Sequence, residues 1–107
     1  MTASDAYEPV YAPVVQAHLA KIERKYHSLI RRAIADQLRF EPEGETKNRK
    51  PLQRPSMLGT VWELRCGPDN RFRVFYRADR DARQVHILAI GVKIKDRLVV
   101  GGEEFDL

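Results

Sequence analysis

From Val14 to Leu38 the apolar positions return every three or four residues: Val15, His18, Leu19, Ile22, Tyr26, Leu29, Ile30, Ala33, Ile34 and Leu38. That spacing predicts an amphipathic helical region with one face turned to a core. Pro13 stands at its first turn, where a missing N–H costs nothing. His27-Ser28 marks the candidate break between two helices, giving a helical hairpin; one bent helix is the alternative. FEPEG, Phe40–Gly44, ends the helical region. Ahead of it, YEPVY is rich in strand formers, and Pro9 confines such a strand to an edge or an end.

Beyond residue 60 the period changes from 3.6 to 2. In VWELRC, Trp62, Leu64 and Cys66 point one way, and Val61, Glu63 and Arg65 the other. GPDN, Gly67–Asn70, is turn chemistry. RFRVFYRAD alternates again, with Phe72, Val74, Tyr76 and Ala78 opposed to Arg71, Arg73, Phe75 and Arg77. After DRDAR comes QVHILAIGV, apolar on both faces, which reads as a central strand covered on both sides. RLVVGG adds a short final strand. Helices followed by a meander predict an α+β fold: an N-terminal helical hairpin packed on one face of a small, mainly antiparallel sheet. At 107 residues the length fits one domain spanning residues 1–107. Strand alternation then gathers Glu63, Arg65, Arg71, Arg73 and Arg77 on the face opposite the helices. The loop TKNRKPL, Thr46–Leu52, falls at the rim of that face.

Charge sharpens the picture. The formal net charge is +4, yet residues 1–46 carry six Lys/Arg against seven Asp/Glu, and residues 47–97 carry thirteen against five. The last ten residues hold three acids and no base. Such segregation points to an anionic partner, nucleic acid first. Cys66 is the single cysteine, and His18, His27 and His86 lack ligand spacing, so neither a disulfide nor a metal site is expected. No apolar run reaches the length of a membrane span, and no signal pattern opens the chain. A soluble cytoplasmic protein without a cofactor is the expectation.

The order helix–helix–meander, with NRKPL, WELR, RFRVFYR and ILAIGVK in sequence, resembles the RelE/ParE toxin superfamily of bacterial type II toxin–antitoxin systems, over roughly Tyr7 to Leu98. The resemblance implies a small basic toxin neutralised by a cognate acidic antitoxin. RelE-like members cut mRNA on the ribosome as metal-independent endoribonucleases; ParE-like members poison DNA gyrase. It further implies catalytic roles for Arg73, matching the strand arginine set against the scissile phosphate, for Arg65 as a second basic strand position, and for Lys50, where some members place a general base. Lys93 and Lys95 fall near a C-terminal basic position of the family. Two departures stand out: Glu63 takes the place of one of two strand lysines, and the C-terminal Tyr or His used as an acid/base has no counterpart after His86.

The leading expectation is therefore a RelE-like, ribosome-dependent mRNA endoribonuclease that inhibits translation. A ParE-like gyrase inhibitor, or a non-catalytic RNA- or ribosome-binding relative, is the alternative. Besides the three catalytic candidates, Lys47, Arg49, Arg54, Arg71, Arg77, Lys93 and Lys95 are the expected nucleic-acid contacts. Each has a plainer reading. Arg73 can be the partner of Glu63 or Asp79 in an ion pair, and the basic loop can be a solvated surface segment. Trp62, Tyr76 and Cys66 read as core, His86 as a strand residue sharing a face with Leu88 and Ile90, and GGEEFDL as a solvated or strand-paired terminus.

Overall fold

The computed structural model describes residues 5–52 and 60–106. It contains two helices, α1 (Val14–Ala20) and α2 (His27–Gln37), on one face of a seven-stranded sheet. The strands are β1 (Glu8–Tyr11), β2 (Arg49–Pro51), β3 (Trp62–Cys66), β4 (Phe72–Asp79), β5 (Gln84–Ile94), β6 (Arg97–Val100) and β7 (Glu103–Asp106). From β2 to β7 neighbours in sequence are antiparallel neighbours in space, while β1 alone runs parallel, against β5. Pro9 lies in that edge strand, where its missing donor breaks no ladder. No helix among the described residues is long and apolar enough to cross a membrane.

The helices follow their apolar spacing. Val15, His18 and Leu19 of α1 and Ile30 and Ile34 of α2, with Leu38 one turn on, are buried against the sheet. The break lies earlier than the His27-Ser28 position the sequence indicated. Lys21 and Ile22 close α1 by hydrogen bonds to the carbonyls of His18 and Leu19, and a short 3-10 turn, Arg24–Tyr26, leads into α2. His27 is the first residue of α2, and its Nε2 lies 2.9 Å from the Ile22 carbonyl oxygen. The ring thus satisfies a group that the end of α1 leaves open.

β5 is long enough to carry two neighbours on one edge: β1 pairs with Gln84–Ile87 and β6 with Gly91–Ile94. At the joint the β4–β5 register shifts, so that Phe75 faces Ala89 but Tyr76 faces Ile87. Leu88 is the extra residue of this bulge. Ile90, in the gap between β1 and β6, donates its N–H to His18 Nδ1 at 3.2 Å, so the imidazole closes a hole in the ladder. The bulge also overturns the expected parity of His86. Ile87 and Ile90 are both buried, whereas His86 sits opposite Arg77 on the other face. Nor is β5 covered on both sides. Both helices lie on one face, and Leu88 and Ala89 are only half-buried.

Tyr76 anchors the core: fully buried, it donates its hydroxyl to the Pro42 carbonyl at 2.6 Å, and burial pushes its pKa upward. Cys66 packs as a small core side chain, as its strand parity predicts. Burial raises its thiol from 9.0 to about 11. The stability associated with the neutral thiol is complete below pH 9 and is lost as pH rises from 9 toward 11. We expect Cys66 to resist alkylation at pH 8 in the native protein and to react at once in urea. Rapid native labelling would contradict the burial.

Candidate nucleic-acid interface

The face of the sheet away from the helices is built by strand register. Lys50 of β2 lies opposite Glu63, Glu63 opposite Phe75, Arg65 opposite Arg73, and Arg73 opposite Gly91. Two arginines directly across a strand pair repel each other. Glu63 resolves the conflict. Its Oε1 accepts from Arg65 Nε at 3.0 Å, and Arg73 Nη1 lies 3.4 Å from both carboxylate oxygens. Arg73 Nε also donates to the Asn70 carbonyl at 3.1 Å. Burial separates the two guanidiniums: the Arg73 side chain is 7% exposed, that of Arg65 40%. Arg65 is open to solvent in the resting structure, and its cross-strand neighbour Arg73 is almost wholly buried. The plainer reading of Arg73, an ion pair with Glu63, is thus realised.

The other expected contacts do not all join this face. Arg77 is half-buried and paired in register with His86, farther along β4. Arg49 belongs to the opposite side: it sits across from core residue Leu64, and its Nη1 donates at 2.7 Å to the carbonyls of Gln37 and Glu41. The guanidinium thereby caps the C-terminal end of α2. Lys47 is exposed in a turn held by Thr46 Oγ1, which accepts the N–H groups of Asn48 and Arg49 at 3.2 and 3.1 Å. That turn is fastened to β3 through Arg65 N–H and the Asn48 carbonyl at 2.8 Å. Lys50 points its ammonium at Glu45, 3.0 Å away. Arg54 lies outside the described residues.

Arg71 leaves the arginine face altogether. Its backbone is helical (φ −73°, ψ −24°), which takes it out of the alternation of β4, and its guanidinium stacks 5.8 Å from the centre of the Tyr26 ring. There it joins Lys21, Lys93 and Lys95 around a cleft of about 640 Å³ between the 3-10 turn and the β5–β6 hairpin. Glu23 and Asp69 share the rim; Ile22, Phe72 and Val99 form the walls. Of the expected contacts, Arg65, Arg73 and Arg77 therefore lie on the open sheet face, and Arg71, Lys93 and Lys95 gather at the end of the sheet. Tyr26 and Lys21 escaped the sequence reading because the helical stripe assigned Tyr26 to the core, and no spacing rule anticipates a 3-10 turn there. Beside the same hairpin, Glu103–Asp106 pairs with β6 as a strand, and Glu104 meets Arg97 at 2.6 Å.

This arrangement of two helices against a meander has a counterpart among solved structures. It superposes on a chain of the crystal structure of the toxin–antitoxin complex RelBE2 from Mycobacterium tuberculosis, with a TM-score of 0.67 over 82% of this chain and 92% of that one, at 23% identity. The chain has a RelE-like fold. No protein-family profile matches the sequence, and no curated protein matches it either.

Proposed function

We propose that the protein is the toxin of a type II toxin–antitoxin pair and acts on ribosome-bound mRNA. The observation that supports this most directly is the cross-strand pair Arg65–Arg73 on the open face of a RelE-like fold. Two guanidiniums held by rigid strands present fixed positive charge where a phosphodiester could lie, which is the preorganisation that stabilises charge developing on phosphorus. Arg65 is the contacting side chain and Arg73 its support. Lys50 donates its ammonium to Glu45 in the resting structure, so service as a base would require that pair to open first. A small acidic antitoxin, with a segment that folds on binding, is the partner these exposed cations fit.

The Lys50–Glu45 pair and the carboxylate of Glu63 among the arginines favour a second reading: a toxin relative that binds RNA or the ribosome without cutting. Primer extension on mRNA from a purified translation reaction separates the two. The first reading expects cuts that need ribosomes and that fall by about 10²-fold in Arg65→Ala, the usual effect of removing one charge-stabilising donor. Intact mRNA with folded protein would leave the second reading, to be followed by ribosome co-sedimentation. Loss of gyrase supercoiling activity in the presence of the protein would instead favour a ParE-like inhibitor.

A further inference from the structure

Glu63 is an odd resident of a phosphate-binding face. It lies within hydrogen-bonding reach of both Arg65 and Arg73, so one carboxylate sits against two guanidiniums. Its side chain is 10% exposed, close to that of Arg73, while Arg65 remains open to solvent. Neither contact is the parallel two-nitrogen fork that makes arginine–oxyanion pairs strong. Arg65 is joined through Nε, and Arg73 contacts the carboxylate at 3.4 Å, long beside the roughly 2.7–2.9 Å of a good charge-assisted bond. A phosphate with oxygens free to meet the Arg65 fork would bind that guanidinium better than Glu63 does.

We infer that Glu63 is an internal stand-in for phosphate: in the free protein it occupies Arg65, and an RNA phosphodiester binds by taking its place there, while the buried Glu63–Arg73 pair stays in position. The inference rests on the reading of this face as a phosphate site. Its consequence is selectivity. Polyanions that cannot offer an oxyanion in the right place must compete with a carboxylate already tethered there, so general attraction to the basic surface is held down.

The test is binding of a short single-stranded RNA of mixed sequence, followed by fluorescence anisotropy over a salt series. The informative variant is the double change Glu63→Met with Arg73→Met. It leaves net charge as in the wild type, replaces a buried pair by apolar chains of similar length, an exchange that commonly preserves folding, and frees Arg65. RNA affinity should rise about tenfold, the effect of one charge-assisted hydrogen bond. The salt slope should steepen by about 0.7 if one more phosphate is neutralised. Affinity equal to or below wild type in the folded double variant overturns the role given to Glu63. Should that variant not fold, Glu63→Gln against Glu104→Gln decides: both remove one negative charge, and only the former should tighten binding strongly. Equal effects would again overturn the inference. RNA binding that is absent in the wild type and every variant would strike down the phosphate-face reading itself, whereas binding that needs Arg65 but ignores Glu63 would strike down only this inference.

Discussion

Arg73→Ala is expected to lower the free energy of unfolding by about 3–5 kcal/mol, the usual loss when one member of a buried ion pair is removed. The substitution leaves the carboxylate of Glu63, 8% exposed overall, with the partly solvated Arg65 as its remaining guanidinium partner, and leaves the Asn70 carbonyl without the Arg73 Nε donor. Small domains commonly have only about 5–15 kcal/mol in all. Urea unfolding followed through Trp62 fluorescence measures the loss directly. The double change of Glu63 and Arg73 to methionine should recover most of it, because no uncompensated charge remains in the sheet. A loss under about 1 kcal/mol for Arg73→Ala would mean that the pair contributes no more than an exposed one. The expectation also bears on function: a toxin silenced by Arg73→Ala has not thereby lost a catalytic group. Arg65→Ala is the cleaner probe, since its side chain is partly solvated and its removal leaves Glu63 with Arg73.

Gly67→Ala should be nearly as damaging, by about 2–4 kcal/mol from backbone strain and overpacking together. Gly67 opens the turn between β3 and β4 at φ 81°, ψ −177°, a conformation essentially confined to glycine. A Cβ there would stand 2.3 and 2.8 Å from two ring carbons of Phe72. Phe72 has little room to give: it is 1% exposed and packed against Tyr26 with ring centroids 5.1 Å apart. Gly44→Ala is the control, because its Cβ would meet its neighbours at 3.4 Å or more and its φ is not in the glycine region. Thermal unfolding of the two variants should differ clearly. Equal midpoints would show that the β3–β4 turn can relax without cost. The damage would reach the candidate interface as well, since this turn sets the register that places Arg65 across from Arg73.

Much of the scaffold was legible in the residues. Helical spacing from Val14 to Leu38 named the side chains that α1 and α2 bury, although Leu29 of that stripe is exposed and the break fell at Lys21–Tyr26 rather than at His27-Ser28. Alternation in β3 and β4 identified Trp62, Leu64, Cys66, Phe72, Val74 and Tyr76 as core. Both are short-range regularities: a repeat of 3.6 or 2 residues decides which side of an element meets the core. The same alternation placed Glu63, Arg65 and Arg73 together. It misplaced Arg71, whose helical backbone interrupts the period, and His86, whose parity the Leu88 bulge reverses.

By itself, then, the sequence determined the order and type of the elements, the two faces of β3 and β4, and the concentration of positive charge between residues 47 and 97. Those properties are local, set by backbone geometry and side-chain period. Only the tertiary structure decided how that charge is used. It turned Arg49 into a cap on α2, moved Arg71 into a cleft with Lys93 and Lys95, and buried Arg73 beside a solvated Arg65 with the Glu63 carboxylate bonded to both. Each outcome depends on which carbonyl, ring or carboxylate lies within about 3–4 Å of a long flexible cation. Such neighbours come from segments distant in sequence or from irregular turns and bulges, and no periodicity along the chain encodes them.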